Sequence, residues 1–330
     1  MSRNVRAFDG EWLEKRLARL LPGFPDVSIC VAFSGGLDST ALLAALAVRR
    51  HAYTNLRAIH INHGLHPHSR RWATQCKALA TSFDVPLKVI ATKVNRSRGT
   101  SLEAEARKAR YDAFTLQLAK NEVLLTAHHE DDQLETVLLQ LFRGAGLAGL
   151  AAMPDLTRFG RGWLARPLLP LSHASVELWA RARRLVWIDD ETNDDERFDR
   201  NYLRHQVLPL IKTRWPAAGR AVSRSARHAA EGQRLLSALA LSDVERAADG
   251  EFLSAKSLRR LSPDRRRNAL RYWITQCGAP APNTSRLDEL AGPFLHARPE
   301  STPRVAWGSV SVIRRDDLVS IMVAGNRVRP

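Results

Sequence analysis

Cys30-Val-Ala-Phe-Ser-Gly-Gly-Leu-Asp-Ser-Thr40 runs from an apolar stretch through two glycines into the apolar segment 41–48, an order of residue types that suits anion binding. Glycines let the backbone approach a phosphate closely, and a helix start presents unpaired N–H groups with partial positive charge. Ser34, Ser39 and Thr40 add hydroxyl groups, while Asp38 is placed either to hold a divalent cation or to cap the helix. The lysine that a Walker A loop carries after its second glycine is absent, so phosphate binding here belongs to another loop class.

Further along, Thr126-Ala-His-His-Glu-Asp-Asp-Gln-Leu-Glu-Thr136 concentrates His128, His129, Asp131, Asp132 and Glu135. Carboxylates so clustered can hold Mg²⁺ against a triphosphate, although Asp132-x-x-Glu135 also approximates a helix capping box. His60-Ile-Asn-His-Gly-Leu-His-Pro-His68 packs four of the eleven histidines into nine residues. With no nearby Cys or carboxylate to complete a shell, recognition of a nucleotide base or of substrate is preferred to a metal site. Ser101 to Tyr111 sets Glu103, Arg107, Arg110 and Tyr111 on overlapping helix faces, where ion pairing along an exposed helix is the plain alternative. Arg143-Gly-Ala-Gly146 adds a cation able to reach phosphate or RNA.

The elements that must position these residues alternate. Apolar segments 27–33, 56–61, 87–91 and 123–127 read as strands, with a fifth around 163–168, and the helical patterns 41–50, 71–83 and 102–119 separate them. Such alternation predicts an α/β fold with a doubly wound parallel sheet that binds ligands at the carboxyl ends of its strands. An amphipathic opening (Trp12, Leu17, Leu20, Leu21) precedes the sheet, and a helical connector follows from about residue 171. The expected domains are 1–214 and a smaller, mainly helical 215–330, divided at Trp215-Pro216. Segments 305–313 and 318–323 predict a closing β-hairpin.

A chain of 330 residues with 45% hydrophobic content has room for two or three domains. No apolar run is long enough to span a bilayer and the N-terminus has no signal-peptide layout, so a cytoplasmic protein with no membrane partner is expected. Three isolated cysteines suggest neither disulfides nor a metal cluster. The net charge of +16 points to nucleic acid, although 42 of the 50 basic residues are Arg, as codon bias would also give. Residues 215–330 hold 19 Lys+Arg against 11 Asp+Glu, the denser positive charge. There Arg220, Arg224 and Arg227 fall on one helix face, either to track a phosphate backbone or as a solvated face.

Ser34-Gly-Gly-x-Asp-Ser39 resembles the PP-loop of ATP pyrophosphatases, which cut ATP between the α and β phosphates. Taken with His60-x-Asn-His-Gly-Leu65, Glu103-x-x-Ala-Arg-x-x-Arg-Tyr111, segment 126–135, Arg143-Gly-Ala-Gly-Leu-x-Gly-Leu150, Arg166-Pro-Leu-Leu169, Trp187-x-x-Asp190-x-x-Asn193 and Arg200-Asn-x-x-Arg204, the chain resembles the tRNA(Ile)-lysidine synthetase family over about residues 28–210. The resemblance implies a two-step reaction on the wobble cytidine of a CAU anticodon. ATP adenylates the C2 oxygen and releases pyrophosphate, and the ε-amine of free L-lysine then displaces AMP to give lysidine, converting codon specificity from AUG to AUA.

By the same resemblance, Ser34, Gly35, Gly36, Leu37, Asp38, Ser39, His60 and Asn62 would bind ATP, and Asp38 with Asp132 would hold Mg²⁺. Asp38, Arg107, His129, Asp132, Glu135 and Arg143 would be catalytic, with His129 or Asp132 accepting the proton that lysine must lose. Arg200 and Arg204 would join Arg220, Arg224 and Arg227 on tRNA(Ile). Many members carry two modules after the catalytic domain, and the length past Trp215 leaves room for one. A homodimer is compatible with the sequence. The rival readings are another PP-loop tRNA-modifying enzyme, such as a 2-thiolation enzyme whose usual cysteine pairs are missing here, and a non-catalytic RNA-binding protein, which the intact loop disfavours.

Overall fold

A computed structural model describes residues 8–64, 66–93, 102–189, 195–298, 300–324 and 326–327. Leu65, Ser101, Asp190, Asn193 and the Glu103 side chain, which belong to the motifs above, lie outside the described residues. The chain divides into two compact units, 1–227 and 228–330.

The first unit carries six strands: β1 (Ser28–Ala32), β2 (Asn55–Asn62), β3 (Leu87–Ala91), β4 (Val123–Leu125), β5 (Leu156–Phe159) and β6 (Gly162–Ala165). They lie in the order β3-β2-β1-β4-β6-β5, all parallel except β5, which pairs antiparallel with β6. The helices are α1 (Gly10–Leu20), α2 (Leu37–Val48), α3 (Ser69–Ser82), α4 (Leu102–Gln117), α5 (Glu130–Phe142), α6 (Leu147–Leu150) and α7 (His173–Ala182). Strand alternation sends Ile29 and Val31 into one apolar cluster with Leu42 of α2 and Val176 of α7, while Cys30 and Leu124 enter another with Phe114 of α4. Two clusters on opposite faces make the sheet doubly wound, as the alternating pattern predicts.

The fifth parallel strand stops at Ala165 because Pro167 cannot donate to a ladder. The antiparallel edge strand β5 is an addition to the expected architecture. Its half-exposed Leu-Thr-Arg-Phe pattern resembles loop sequence. The connector continues as α8 (Asp199–Tyr202), a π turn (Leu203–Val207) and α9 (Leu208–Arg214), followed by the long α10 (Ala218–Ala247). Pro209 has no N–H for the preceding turn, which is the one that widens. Ala218 and Val222 at the start of α10 pack with Leu134 and Leu208. The division between units therefore falls inside α10, at Arg227–His228, and not at Trp215-Pro216.

The second unit is mainly helical, as expected, and adds an antiparallel sheet wider than the expected hairpin. Its strands β7 (Ala248–Asp249), β8 (Phe252–Ser254), β9 (Arg304–Trp307), β10 (Val310–Arg315), β11 (Leu318–Val323) and β12 (Asn326–Arg327) form one antiparallel sheet in the order β7-β8-β11-β10-β9, with β12 on β11. The expected hairpin is present as β10–β11, but the strand placed at 305–313 is broken by a turn at Gly308-Ser309 into β9 and β10. Helices α11 (Ala255–Arg259), α12 (Pro263–Gln276) and α13 (Thr284–Glu289) supply Leu258, Leu270, Trp273 and Leu287 to a core completed by Val312 and Val319.

Arg314, only 1% exposed, sits in that core with no acidic partner among the described residues. Its guanidinium donates to the carbonyls of Phe294 (3.0 Å), Leu295 (2.6 Å), Ala297 (2.7 Å) and Arg298 (3.0 Å). These carbonyls end a helical segment and have no onward N–H, so the arginine caps them. Arg314→Met should therefore destabilise this unit by about 3–5 kcal/mol, read as a lower urea midpoint of the whole chain. Arg314→Lys should recover less than half of the loss, because one ammonium cannot reach four carbonyls.

Among the described residues, no helix is long and apolar enough to cross a membrane.

Candidate functional site

The glycine loop closes β1 and opens α2, whose cap residue Gly36 offers no side-chain acceptor to the first helical N–H groups. The loop is braced internally. Gly35 N–H donates to Ser39 Oγ (3.2 Å), Gly36 N–H to Ser34 Oγ (3.3 Å), and the two serine oxygens lie 2.9 Å apart. Bonds this long are easily exchanged for phosphate oxygens. Thr40 Oγ1 donates to Gly35 O (3.1 Å), and Ile188 N–H donates to the same carbonyl (2.9 Å), which pins the segment after Trp187 over the loop.

His60 and Asn62, expected to bind nucleotide, also brace the loop's surroundings. His60 is buried, with Nδ1 2.9 Å from Phe33 O and 3.4 Å from Cys76 Sγ, and burial lowers its proton affinity. Asn62 accepts from Gly64 N–H (2.9 Å) and donates to Ser69 O (3.3 Å), shaping the turn beyond β2. His63 is held near pKa 4 by burial and by Arg110. Outside the sheet's edge, His66 stacks on Trp72 with ring centroids 4.7 Å apart.

Beside the loop, α5 begins with a reciprocal cap in which His129 N–H donates to Asp132 Oδ2 (2.9 Å). The capping box and the site are thus the same residues. Asp38 lies across from this helix start, its Oδ2 3.6 Å from His129 Nε2 and its Oδ1 3.8 Å from Nε2 of His173, the first residue of α7. Asp38 Oδ1 is buried without a hydrogen-bond partner. Burial alone would lower the pKa of His129, but Asp132, Asp38 and Asp131 outweigh it and lift the group to about 9. For Asp132 burial is again opposed, by His129, His128 and Arg200, so its carboxyl lies well below the usual range. Desolvation lowers the neighbouring His128 to about 3, so it is neutral.

Glu135, fully buried, is held by Arg200 Nε (2.7 Å) and by Arg204 Nε and Nη2 (2.7 and 3.0 Å), and Arg204 Nη2 also reaches Asp132 Oδ1 (3.1 Å). Arg200 and Arg204, expected on RNA, are committed to the site carboxylates. The widened turn 203–207 carries Arg204 to them. Glu135 thereby holds both guanidiniums in place. Arg107 lies against Tyr111 (Nη2 to Oη 3.4 Å), beside the buried Arg166, which donates to Pro154 O (2.8 Å). Arg143 is exposed at the far end of α5, about 16 Å along the helix from Asp132, and the fold does not bring it to the cluster. Arg220, Arg224 and Arg227 are all exposed on α10.

A cavity of about 410 Å³ opens on this cluster, lined by Asp38, His129, Glu135, His173 and Arg204 on one side and by Asp131, Leu208, Pro209 and Lys212 on the other. Asp131 and Lys212 pair at 2.8 Å. Sequence reasoning passed over His173 and Lys212. His173 had a readable signal, since Ser172 caps a helix just past a strand and so falls at the ligand edge of the sheet. Lys212 had none, because α9 belongs to no strand–helix unit.

Residues 11–211 match the family model of a PP-loop domain, and residues 253–319 match that of a TilS substrate binding domain. Among curated proteins, the chain is 42% identical to the tRNA(Ile)-lysidine synthase of Alkalilimnicola ehrlichii over 96% of this chain and 70% of that protein. It is 41% identical to that of Coxiella burnetii (87% and 64%) and 48% identical to that of Pseudomonas putida (74% and 60%). The chain thus spans about two thirds of the length of these relatives. Among solved structures, the U34-tRNA thiolase NcsA from Methanococcus maripaludis superposes with a TM-score of 0.54 at 16% identity, covering 66% of this chain and 77% of that one, a likeness of fold alone.

Proposed function

Since the chain belongs to the tRNA(Ile)-lysidine synthase family of PP-loop proteins, we propose that it ligates free L-lysine to C2 of the wobble cytidine in the CAU anticodon of tRNA(Ile), consuming ATP and releasing pyrophosphate and AMP. The observation that carries this reading is the cavity joining the glycine loop's Asp38 to His129, Glu135 and Arg204, large enough for an amino-acid side chain beside a nucleotide phosphate.

In the first step the amides of Gly35 and Gly36, with Ser34 and Ser39, hold the departing pyrophosphate at the start of α2. Mg²⁺ fits here because the buried Oδ1 of Asp38 has no partner. Asp132, expected as a second ligand, is spent on His129 N–H and Arg204. Mg²⁺ bound at Asp38 would neutralise charge developing on the leaving group.

In the second step the cavity wall of Leu208 and Pro209 suits the aliphatic stem of lysine, and Asp131 with Lys212 offers one charge of each sign to its polar ends. The amine must shed a proton before it attacks. Asp132 is a poor acceptor because its carboxyl holds protons so weakly, so the acceptor is His129, drawn from its deprotonated fraction. His129→Asn should slow lysine transfer about a hundredfold while leaving adenylation within a few fold, measured by single-turnover AMP release from preformed adenylated tRNA. A transfer rate unchanged from wild type would reject this role.

The exposed Arg220, Arg224 and Arg227 supply a stripe for the tRNA backbone, and the protein works in the cytoplasm. The function itself is tested by tRNA-dependent pyrophosphate release, followed by AMP release and amino-acid incorporation that both require lysine. Turnover that ignores lysine and needs a sulfur donor would instead establish a thiolation enzyme.

A further inference from the structure

The first turn of α5 spends three consecutive carboxylates on the connector that follows the sheet. Asp132 meets Arg200 of α8 (3.5 Å) and Arg204 of the π turn (3.1 Å), and Asp131 meets Lys212 of α9 (2.8 Å). Glu130 reaches one element further, to the start of α10. Successive helical residues point about 100° apart, so a single turn can fan its side chains over several neighbours.

The contact with α10 is close enough to dictate a residue. Gly219 is buried in the first turn of that helix, and a Cβ there would overlap Glu130 Oε1 and lie 2.7 Å from its Cγ and 2.9 Å from its Cδ. The Gly219 backbone is outside the left-handed region, so the glycine serves this close approach and not a turn. Ala217, which precedes α10, has no side-chain acceptor, and the helix has no acid of its own in its first turn. Glu130 stands where a capping carboxylate would. Burial, then the neighbouring Asp131, push its carboxyl above the usual range, while the Arg220 guanidinium, Lys212 and the Arg220 N–H oppose them.

Arg220 belongs to both sides of this joint. Its N–H and guanidinium act on the Glu130 carboxylate, and its exposed side chain opens the stripe completed by Arg224 and Arg227. A phosphate backbone laid on that stripe therefore pulls on the helix start that Glu130 holds, and Glu130 shares a helical turn with Asp132. We propose that Glu130 is a positioning residue that couples tRNA on α10 to the nucleotide site, so that each ligand tightens the binding of the other. The proposal rests on the reading of α10 as a tRNA-binding helix. The alternative for the same geometry is a helix cap with no consequence for either ligand.

Equilibrium binding of a tRNA(Ile) transcript with a CAU anticodon to the full chain, with and without α,β-methylene-ATP and Mg²⁺, separates the two. Wild type should bind the tRNA at least about fivefold tighter in the presence of the analogue, which cannot be cut between its α and β phosphates. In Glu130→Ala that factor should fall below about twofold, with tRNA affinity in the absence of nucleotide within about threefold of wild type. Gly219→Ala should lose the coupling equally, because its methyl group evicts the carboxylate. Alanine is the better helix former, so loss of α10 would not be the cause. The double variant should match Glu130→Ala alone. Full coupling in Glu130→Ala or in Gly219→Ala would overturn the proposal, as would a wild-type chain whose tRNA affinity ignores the analogue. Lysine incorporation by such a chain would leave the proposed function standing. Coupling that depends on Glu130 in a chain that incorporates no lysine would support the joint and reject the function.

Discussion

Glu135→Gln should lower proposed pyrophosphate release at least about a hundredfold and cost about 3 kcal/mol of stability. The carboxylate is fully buried and receives three hydrogen bonds from Arg200 and Arg204. An amide keeps the shape but removes the charge and turns one acceptor into a donor facing a guanidinium. Both cations would then rest on Asp132 alone, at 3.5 and 3.1 Å. The expected stability loss sits at the lower end for a buried ion pair because Arg204 is 36% exposed and water can solvate part of its charge. Rates fall more steeply than stability, since Asp132 is the acceptor that caps His129, and a shift of the arginines onto it moves the helix start facing Asp38. A double-mutant cycle with Arg204→Gln supplies the check. The two substitutions should be strongly non-additive in both urea midpoint and turnover. Additive effects, or an E135Q chain that turns over normally, would show that the charge cluster does not organise the site.

That cluster also shows where the sequence stops being readable. The parallel sheet, its winding on both faces and the loop at the end of β1 followed from alternation of apolar strands and helices, because each signal is local: a strand of Ile, Cys and Val, two glycines, then an apolar helix. The edge strand β5 carries too few residues for a period to register. In the second unit the hairpin could be seen, but β7 and β8 are two and three residues long and β8 pairs with a strand more than sixty positions away, so the wider sheet could not.

For the site, residue types were legible and pairings were not. Asp38, His129, Asp132 and Glu135 stood out as chemistry-bearing groups at strand ends, and the fold brings all four together. Arg200 and Arg204 were placed on tRNA(Ile) through the resemblance alone, and in the fold their guanidiniums reach carboxylates on α5, some 65 residues earlier in the chain. Nothing local distinguishes an arginine that binds phosphate from one that binds a buried carboxylate. Arg143 stands apart from the carboxylate cluster for a simpler reason. It shares a helix with Asp132 and Glu135, and a helix of thirteen residues separates its ends by about 20 Å.

The glycine pair divides fold from function most sharply. Gly35 has φ +87°, and a Cβ there would lie 2.6 Å from Ile188 Cδ1 and 2.7 Å from Cys76 Sγ. Neither neighbour can yield easily, since Ile188 is tied to the Gly35 carbonyl and Cys76 is buried in α3. Gly35→Ala should therefore cost about 2–4 kcal/mol of stability together with most ATP affinity. Gly36 has no such constraint. Its added Cβ meets only Ser34 Oγ at 3.6 Å and Ile188 O at 4.0 Å. Gly36→Ala should leave the urea midpoint within about 0.5 kcal/mol of wild type and still weaken ATP binding about a hundredfold, because a methyl group would hold phosphate away from the loop amides. Paired denaturation and equilibrium ATP-binding measurements decide the matter. A stable Gly35→Ala chain would contradict the packing around the loop, and wild-type ATP affinity in Gly36→Ala would mean that the phosphates do not approach the backbone there.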